Sequence, residues 1–105
     1  MKYIITELQL DKVIFKYLNL KRLNIVDENN AIHFVNSENN KYIIYVKKDG
    51  RCFIYHELIT EVSNFFSIDE SIAETIIGKW VGNTLQVEIT KTMIPPYHIP
   101  KNNSY

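Results

Sequence analysis

Few residues in this chain carry chemistry, and the densest group of them lies in KYIIYVKKDGRCFIYHEL, residues 41–58. Cys52, the sole cysteine, precedes His56 by four positions, and Lys47, Lys48 and Arg51 surround an Asp-Gly pair. A nucleophilic thiol needs a neighbouring base or cation to lower its pKa, together with backbone donors for an oxyanion. Lys47 supplies a cation, but His56 falls beyond the strand that holds Cys52, and no glycine-rich loop adjoins it. Cys52 therefore reads as a small packed hydrophobe. His33, His56 and His98 are scattered and form no His-x3-His or Cys-x2-Cys ligand spacing. The three glycines, Gly50, Gly78 and Gly82, build neither a dinucleotide fingerprint nor a phosphate loop. The expectation is a non-enzymatic protein with no cofactor and no metal.

Two stretches suit binding. Lys41, Lys47, Lys48 and Arg51, with Tyr45 among them, combine cations for phosphates with a ring for bases, the pairing that sequence-tolerant single-strand binders use. Against this, the sequence pI of about 6.8 is far from that of a basic protein, and lysines at a hairpin end also guard an edge against aggregation. The second stretch is MIPPYHIP, where Pro95, Pro96, Tyr97 and Ile99 offer an extended segment for a partner or a second copy.

The elements follow from pattern. Thr6 and Gln9 make a capping box and Ile5 and Leu10 a staple for a first helix running to about Leu20. Its polar stripe is Gln9, Lys12, Lys16 and Asn19, and the apolar remainder predicts a largely buried helix. NIVDENN reads as a turn, AIHFV and KYIIYVKK as strands. Asp49-Gly50 predicts a two-residue type I′ hairpin. That register pairs Lys47 with Cys52, Val46 with Phe53, Tyr45 with Ile54 and Ile44 with Tyr55. Ile44, Val46, Phe53 and Tyr55 then face the helices, with Ile43, Tyr45, Lys47, Cys52 and Ile54 opposite. HELITEVSNFF is a second helix, with Leu58, Ile59, Val62, Phe65 and Phe66 on its inner, apolar side. A third starts at a Ser67/Glu70 capping box, carries Ile72, Ala73, Ile76, Ile77 and Trp80, and stops at Gly82. TLQVEIT, residues 84–90, alternates like a last strand.

The whole predicts an α+β domain over residues 1–91, ordered α-β-β-β-α-α-β. An antiparallel sheet of about four strands carries helices on one face, and residues 92–105 form an extended Pro-containing tail. The 105-residue length and 46% hydrophobic content support one core without a disulfide or metal. A lone Cys, no leader-like run and no membrane-length apolar stretch point to the cytoplasm and away from membranes. Charge is uneven: residues 12–51 carry eight basic against four acidic residues, and residues 52–78 carry five acidic residues and no Lys or Arg. Such a division suits orientation on a charged partner or head-to-tail self-association.

MKYIITELQLDKVIFKYL, FFSIDE and IIGKWV, in a chain rich in Ile, Asn, Lys and Tyr, resemble the short uncharacterised reading frames of tailed bacteriophages from AT-rich hosts. The resemblance implies a viral accessory or virion-associated protein working in the host cytosol, and carries over no catalytic residue. The leading expectation is a protein-interaction module. The alternative is a nucleic-acid binder using residues 41–55.

Overall fold

The structure is a computed structural model describing residues 7–95, with side chains from Gln9 onward. Its elements in chain order are α1 (Glu7–Leu20), β1 (Asn24–Glu28), β2 (Ala31–Asn36), β3 (Lys41–Lys47), β4 (Arg51–Ile54), α2 (His56–Phe66), α3 (Glu70–Leu85) and β5 (Lys91–Met93). The five strands form one sheet in sequence order. The first four pair antiparallel as a meander, and β5 joins β4 in parallel. A parallel neighbour needs a long crossover, which α2 and α3 provide. The α+β architecture expected from sequence is therefore present, with one strand more and one parallel pair.

The additional strand is β1. NIVDENN is not a turn throughout: only Asn29 and Asn30 turn, with φ of 54° and 60°. Two successive positive φ values make a two-residue type I′ link, which Asn tolerates, and Glu28 then faces Ala31. Between β2 and β3 the register slips where Phe34 pairs with Ile44 and Val35 with Tyr42, leaving Ile43 as the extra residue of a bulge.

The β3–β4 hairpin has three loop residues where two were expected. Gly50 N–H donates to the Lys47 carbonyl at 2.9 Å, and Gly50 sits at φ 94°, the arrangement of a type I turn closed by a left-handed glycine. Asp49 Oδ1 accepts the Arg51 N–H at 3.1 Å, holding the loop in this form. One residue of difference turns the β4 side chains over. Ile44 now faces Ile54, Tyr45 faces Phe53 and Val46 faces Cys52. The assignment of Phe53 and Tyr55 to the helix side is thus reversed, and Cys52 and Ile54 take their place.

All three helices pack on one face. Ile14 and Leu18 of α1, Leu58, Ile59 and Val62 of α2, and Ala73, Ile76, Ile77, Trp80 and Val81 of α3 meet Phe34, Ile44, Val46, Cys52 and Ile54. Of the α1 residues with described side chains only Ile14 and Leu18 are fully enclosed, and Val13 and Leu20 lie open; the largely buried helix is not observed, because α1 turns only its Ile14–Leu18 side onto the core. Phe65, expected on the inner side of α2, is likewise exposed and stacks on Tyr17 at 4.8 Å.

Helix ends also depart from expectation. Ser67 closes α2 in the left-handed region, and Asp69 is the N-cap of α3, without a side-chain capping bond. The Ser67/Glu70 box is therefore absent. Thr6 and Ile5 lie outside the described residues. α3 runs past Gly82 to Leu85 and ends at left-handed Gln86, so residues 84–90 are not a strand. Leu85 and Ile89 pack on the core instead. Gly78 and Gly82 serve the crossover: a Cβ at Gly78 would stand 2.3 Å from Thr92 Cγ2, and one at Gly82 would stand 3.1 Å from Ile89 Cγ1. These two glycines let residues 87–92 lie close against α3 and bring Lys91–Met93 into line with β4.

Candidate interaction surface

With the helices on one side, the other face of the sheet lacks a covering layer among the described residues. Side chains there fall into rows that cross the strands. The central row is Val26, His33, Tyr45, Phe53 and Met93, one from each strand. His33 stacks on Tyr45 at 5.8 Å and 19°, and Tyr45 stacks on Phe53 at 4.6 Å and 11°. Tyr42 meets His33 edge-on at 5.0 Å and donates its hydroxyl to Glu28 at 2.8 Å. Tyr55 lies 6.4 Å from Tyr45. Ala31, Val35 and Phe53 are buried here yet stand apart from the helix-side core. This face is a second, thin apolar layer.

The stacking holds the tyrosines in low-polarity surroundings. Burial raises the pKa of Tyr45 and of Tyr55, and the hydrogen bond to Glu28, followed by burial, raises that of Tyr42. The hydroxyls of Tyr45 and Tyr55 stay protonated and can donate at neutral pH, while that of Tyr42 is already given to Glu28. His33 Nε2 is enclosed and makes no hydrogen bond in the described structure, so packing positions that ring.

The neighbouring row, two residues along each strand, is charged. Glu28 faces Ala31 and Ala31 faces Lys47. Lys47 and Arg51 flank the hairpin loop, and Arg51 faces Lys91 on β5. Lys47, Arg51 and Lys91 are all exposed. Arg51 Nε donates to Asp49 Oδ2 at 2.8 Å, leaving its terminal nitrogens to other acceptors. The backbone N–H of Arg51 is the main cause of the lowered Asp49 pKa.

The structure divides the residues singled out from sequence. Tyr45, Lys47 and Arg51 come together on the open face. Lys48 is at the loop tip and, with Lys47, lines a cleft of about 390 Å³ shared with Asp27, Asp49 and Glu88. Lys41 lies at the far end of β3, roughly 20 Å from Lys47 at strand spacing, and pairs with Glu57 at 3.0 Å. The five do not make one basic patch. Pro95 is half-buried just after β5; Pro96, Tyr97 and Ile99 lie outside the described residues. Sequence reading placed Phe53 and Tyr55 on the helix side, and did not connect His33, Lys91 and Met93 with this surface. The signal available was Lys48-Asp49-Gly50 as a three-residue loop, which alone would have placed Phe53 beside Tyr45.

The charge division is partly spent within the fold. Lys21 pairs with Glu61, and Lys41 with Glu57, so helix-layer acids and loop or strand lysines meet. Burial works to raise the Glu61 pKa, but the bonds from Lys21 and Tyr17 hold it below the usual carboxylate value. Burial, then the bond to Glu61, pushes Tyr17 up to about 12.

Cys52 and His56 do not form a pair. Cys52 is wholly enclosed on the helix side, while His56 Nε2 lies 2.8 Å from Glu70 Oε1 on the surface. Burial, with a smaller contribution from Glu74, pushes the Cys52 thiol up to about 12 from an ordinary 9.0. A disulfide reagent at pH 8 is expected to leave native Cys52 untouched, its rate rising only with denaturant-induced opening; rapid modification of the folded chain would contradict this placement. The shift has a sign. Between about pH 9 and 12 the unfolded chain releases a proton that the native chain keeps. Stability attributable to the thiol is complete below pH 9 and falls above it, by at most ~1.4 kcal/mol per pH unit.

Among the described residues no three His, Cys, Asp or Glu side chains converge as a metal site, and no helix is long and apolar enough to cross a membrane. No family model, curated protein or solved structure matches the chain.

Proposed function

We propose that this protein is a small non-enzymatic interaction module that contacts a protein partner through the helix-free face of its sheet. The observation that carries this reading is the cross-strand row His33–Tyr45–Phe53, which lies outside the helix-side core and has no covering layer among the described residues. Apolar rows ringed by tyrosine hydroxyls and cations have the composition of contact surfaces: aromatic and Arg-rich, with polar groups at the rim. The enclosed thiol and the paired His56 favour a role without chemistry.

The nucleic-acid reading is weaker for a geometric reason. Single-strand binders offer flat ring faces on which bases stack. Here both faces of Tyr45 are engaged, by His33 and Phe53. A base would have to break contacts worth about 0.5–1.5 kcal/mol each before making its own. A small accessory role in a host cytosol, as the phage-like texture implies, fits an interaction module of this size.

The test is selection of linear peptides from a random display library against the folded protein, with binders located by backbone amide shifts. Shifts concentrated at His33, Tyr45, Phe53 and Met93 are expected. A library that returns no binder, or binders that shift only α1, α2 and α3, would sink the reading.

A further inference from the structure

The charge and ring rows run side by side, and their spacing specifies more than a generic contact. Lys47, Arg51 and Lys91 stand on adjacent strands β3, β4 and β5, so at ~4.8 Å between strands the cations span about 10 Å. Tyr45, Phe53 and Met93 occupy the same three strands one row away, about 6.6 Å distant at two residues along a strand. A boundary between cationic and apolar rows therefore crosses three strands in a straight line.

An extended polypeptide lying along that boundary sends successive side chains to opposite sides. Residues i and i+2, about 6.6–6.8 Å apart, would both fall on the cation side, within the 10 Å row. Residues i+1 and i+3 would fall on the rings. Of the three cations only Arg51 has an ion-pair partner among the described residues, Asp49, and that pair uses its Nε alone. The acids of α2 and α3 belong to the layer on the other side of the sheet. Glu28, at the β1 end of the charged row, limits the acid-accepting stretch to β3–β5.

Resting on the reading of this face as a protein contact surface, we propose that its ligand is an extended segment of alternating acidic and apolar residues. Its carboxylates sit on Lys47, Arg51 and Lys91, and its apolar side chains on the half-buried Tyr45 and Met93, which flank the enclosed Phe53. A second copy of the chain fits less well. Four strand gaps by about five residues give a face of roughly 300 Å², against the ~800 Å² per partner of a stable interface. That area suits a single extended strand of peptide.

The experiment is fluorescence anisotropy of three fluorescein-labelled probes, (Glu-Tyr)5, (Lys-Tyr)5 and a twenty-residue oligothymidine, titrated with the full chain at low and physiological salt. A Lys47→Glu/Lys91→Glu variant runs beside it; both side chains are exposed, and its circular dichroism confirms folding. Expected is binding of (Glu-Tyr)5 that shifts β3, β4 and β5 amides and weakens about tenfold or more in the variant. Equal binding of (Lys-Tyr)5 at the same amides would overturn the acidic ligand while leaving the contact face standing. Oligothymidine binding with steep salt dependence, in preference to (Glu-Tyr)5, would overturn both in favour of nucleic acid. Failure of all three probes to bind overturns the inference, and the library selection then decides the broader reading by itself.

Discussion

Trp80→Ala is expected to lose about 3–5 kcal/mol of unfolding free energy, followed by far-UV circular dichroism in a urea titration. Trp80 is 4% exposed. Its ring lies 5.2 Å from Phe34, joining α3 to β2, and its Nε1–H donates to Asn19 Oδ1 at 2.9 Å, joining α3 to α1. Truncation opens a cavity where three elements meet, and close-packed neighbours collapse only partly into such a space. A domain of this length has roughly 5–15 kcal/mol in total, so the variant approaches the edge of folding. Trp80→Phe keeps a ring against Phe34 and gives up only the hydrogen bond and some volume. Because Asn19 is exposed, its freed oxygen returns to water, and a loss of about 1–2 kcal/mol is expected. An Ala variant within 1 kcal/mol of wild type would show that α3 is not seated on the sheet through this residue.

Gly50→Val is expected to be of similar severity, about 3–4 kcal/mol, from two costs that add. At φ 94° a β-branched residue is a steric outlier, and left-handed backbone costs an L-residue about 1–2 kcal/mol. The second cost is contact: a Cβ at Gly50 would stand 2.8 Å from the Glu88 carbonyl oxygen and 2.8 Å from Thr90 Cγ2, an overpacking worth about 1–3 kcal/mol. Gly50→Asn separates them. Asn tolerates positive φ yet carries the same Cβ, so it should lose the contact cost alone, about 1–3 kcal/mol, and less than Gly50→Ala, which carries both; a near-neutral Asn variant would mean the backbone angle alone matters. The damage should reach the ligand face as well. Thr90 N–H donates to the Gly50 carbonyl at 2.9 Å and Thr90 Oγ1 to the Asp49 carbonyl at 3.2 Å, a clamp immediately ahead of Lys91. Faster amide exchange across Lys91–Met93 in the Gly50 variants would report its opening.

Position 50 also shows how much of this protein could be read in advance. Asp49-Gly50 announced a hairpin, and a hairpin is there. The loop length was decided by the type I turn from Lys47 and by the clamp onto Thr90, a residue about forty positions away whose approach no local pattern reports. Because strand side chains alternate, that single residue moved Cys52 and Ile54 inward and Phe53 and Tyr55 outward. The ring row, and with it the candidate site, was hidden behind one register choice. β1 was missed in the same way: Asn, Asp and Glu at its ends read locally as a turn, and pairing with β2 overrode them.

By itself the sequence determined what rests on short-range physics. The apolar spacing at positions 14 and 18, at 58, 59 and 62, and at 73, 76, 77 and 80 set the inner faces of three helices. The β-branched runs at 31–35 and 41–47 set two central strands, and together these led to an α+β domain. Tertiary structure alone decided which side of the sheet each β4 residue faces, that α3 passes Gly82, and that Lys91–Met93 pairs in parallel beside Arg51–Phe53. Those features depend on close approach between segments distant in sequence, through Gly50, Gly78 and Gly82. Periodicity records a residue's own helix or strand; it does not record which backbone will lie against a missing side chain.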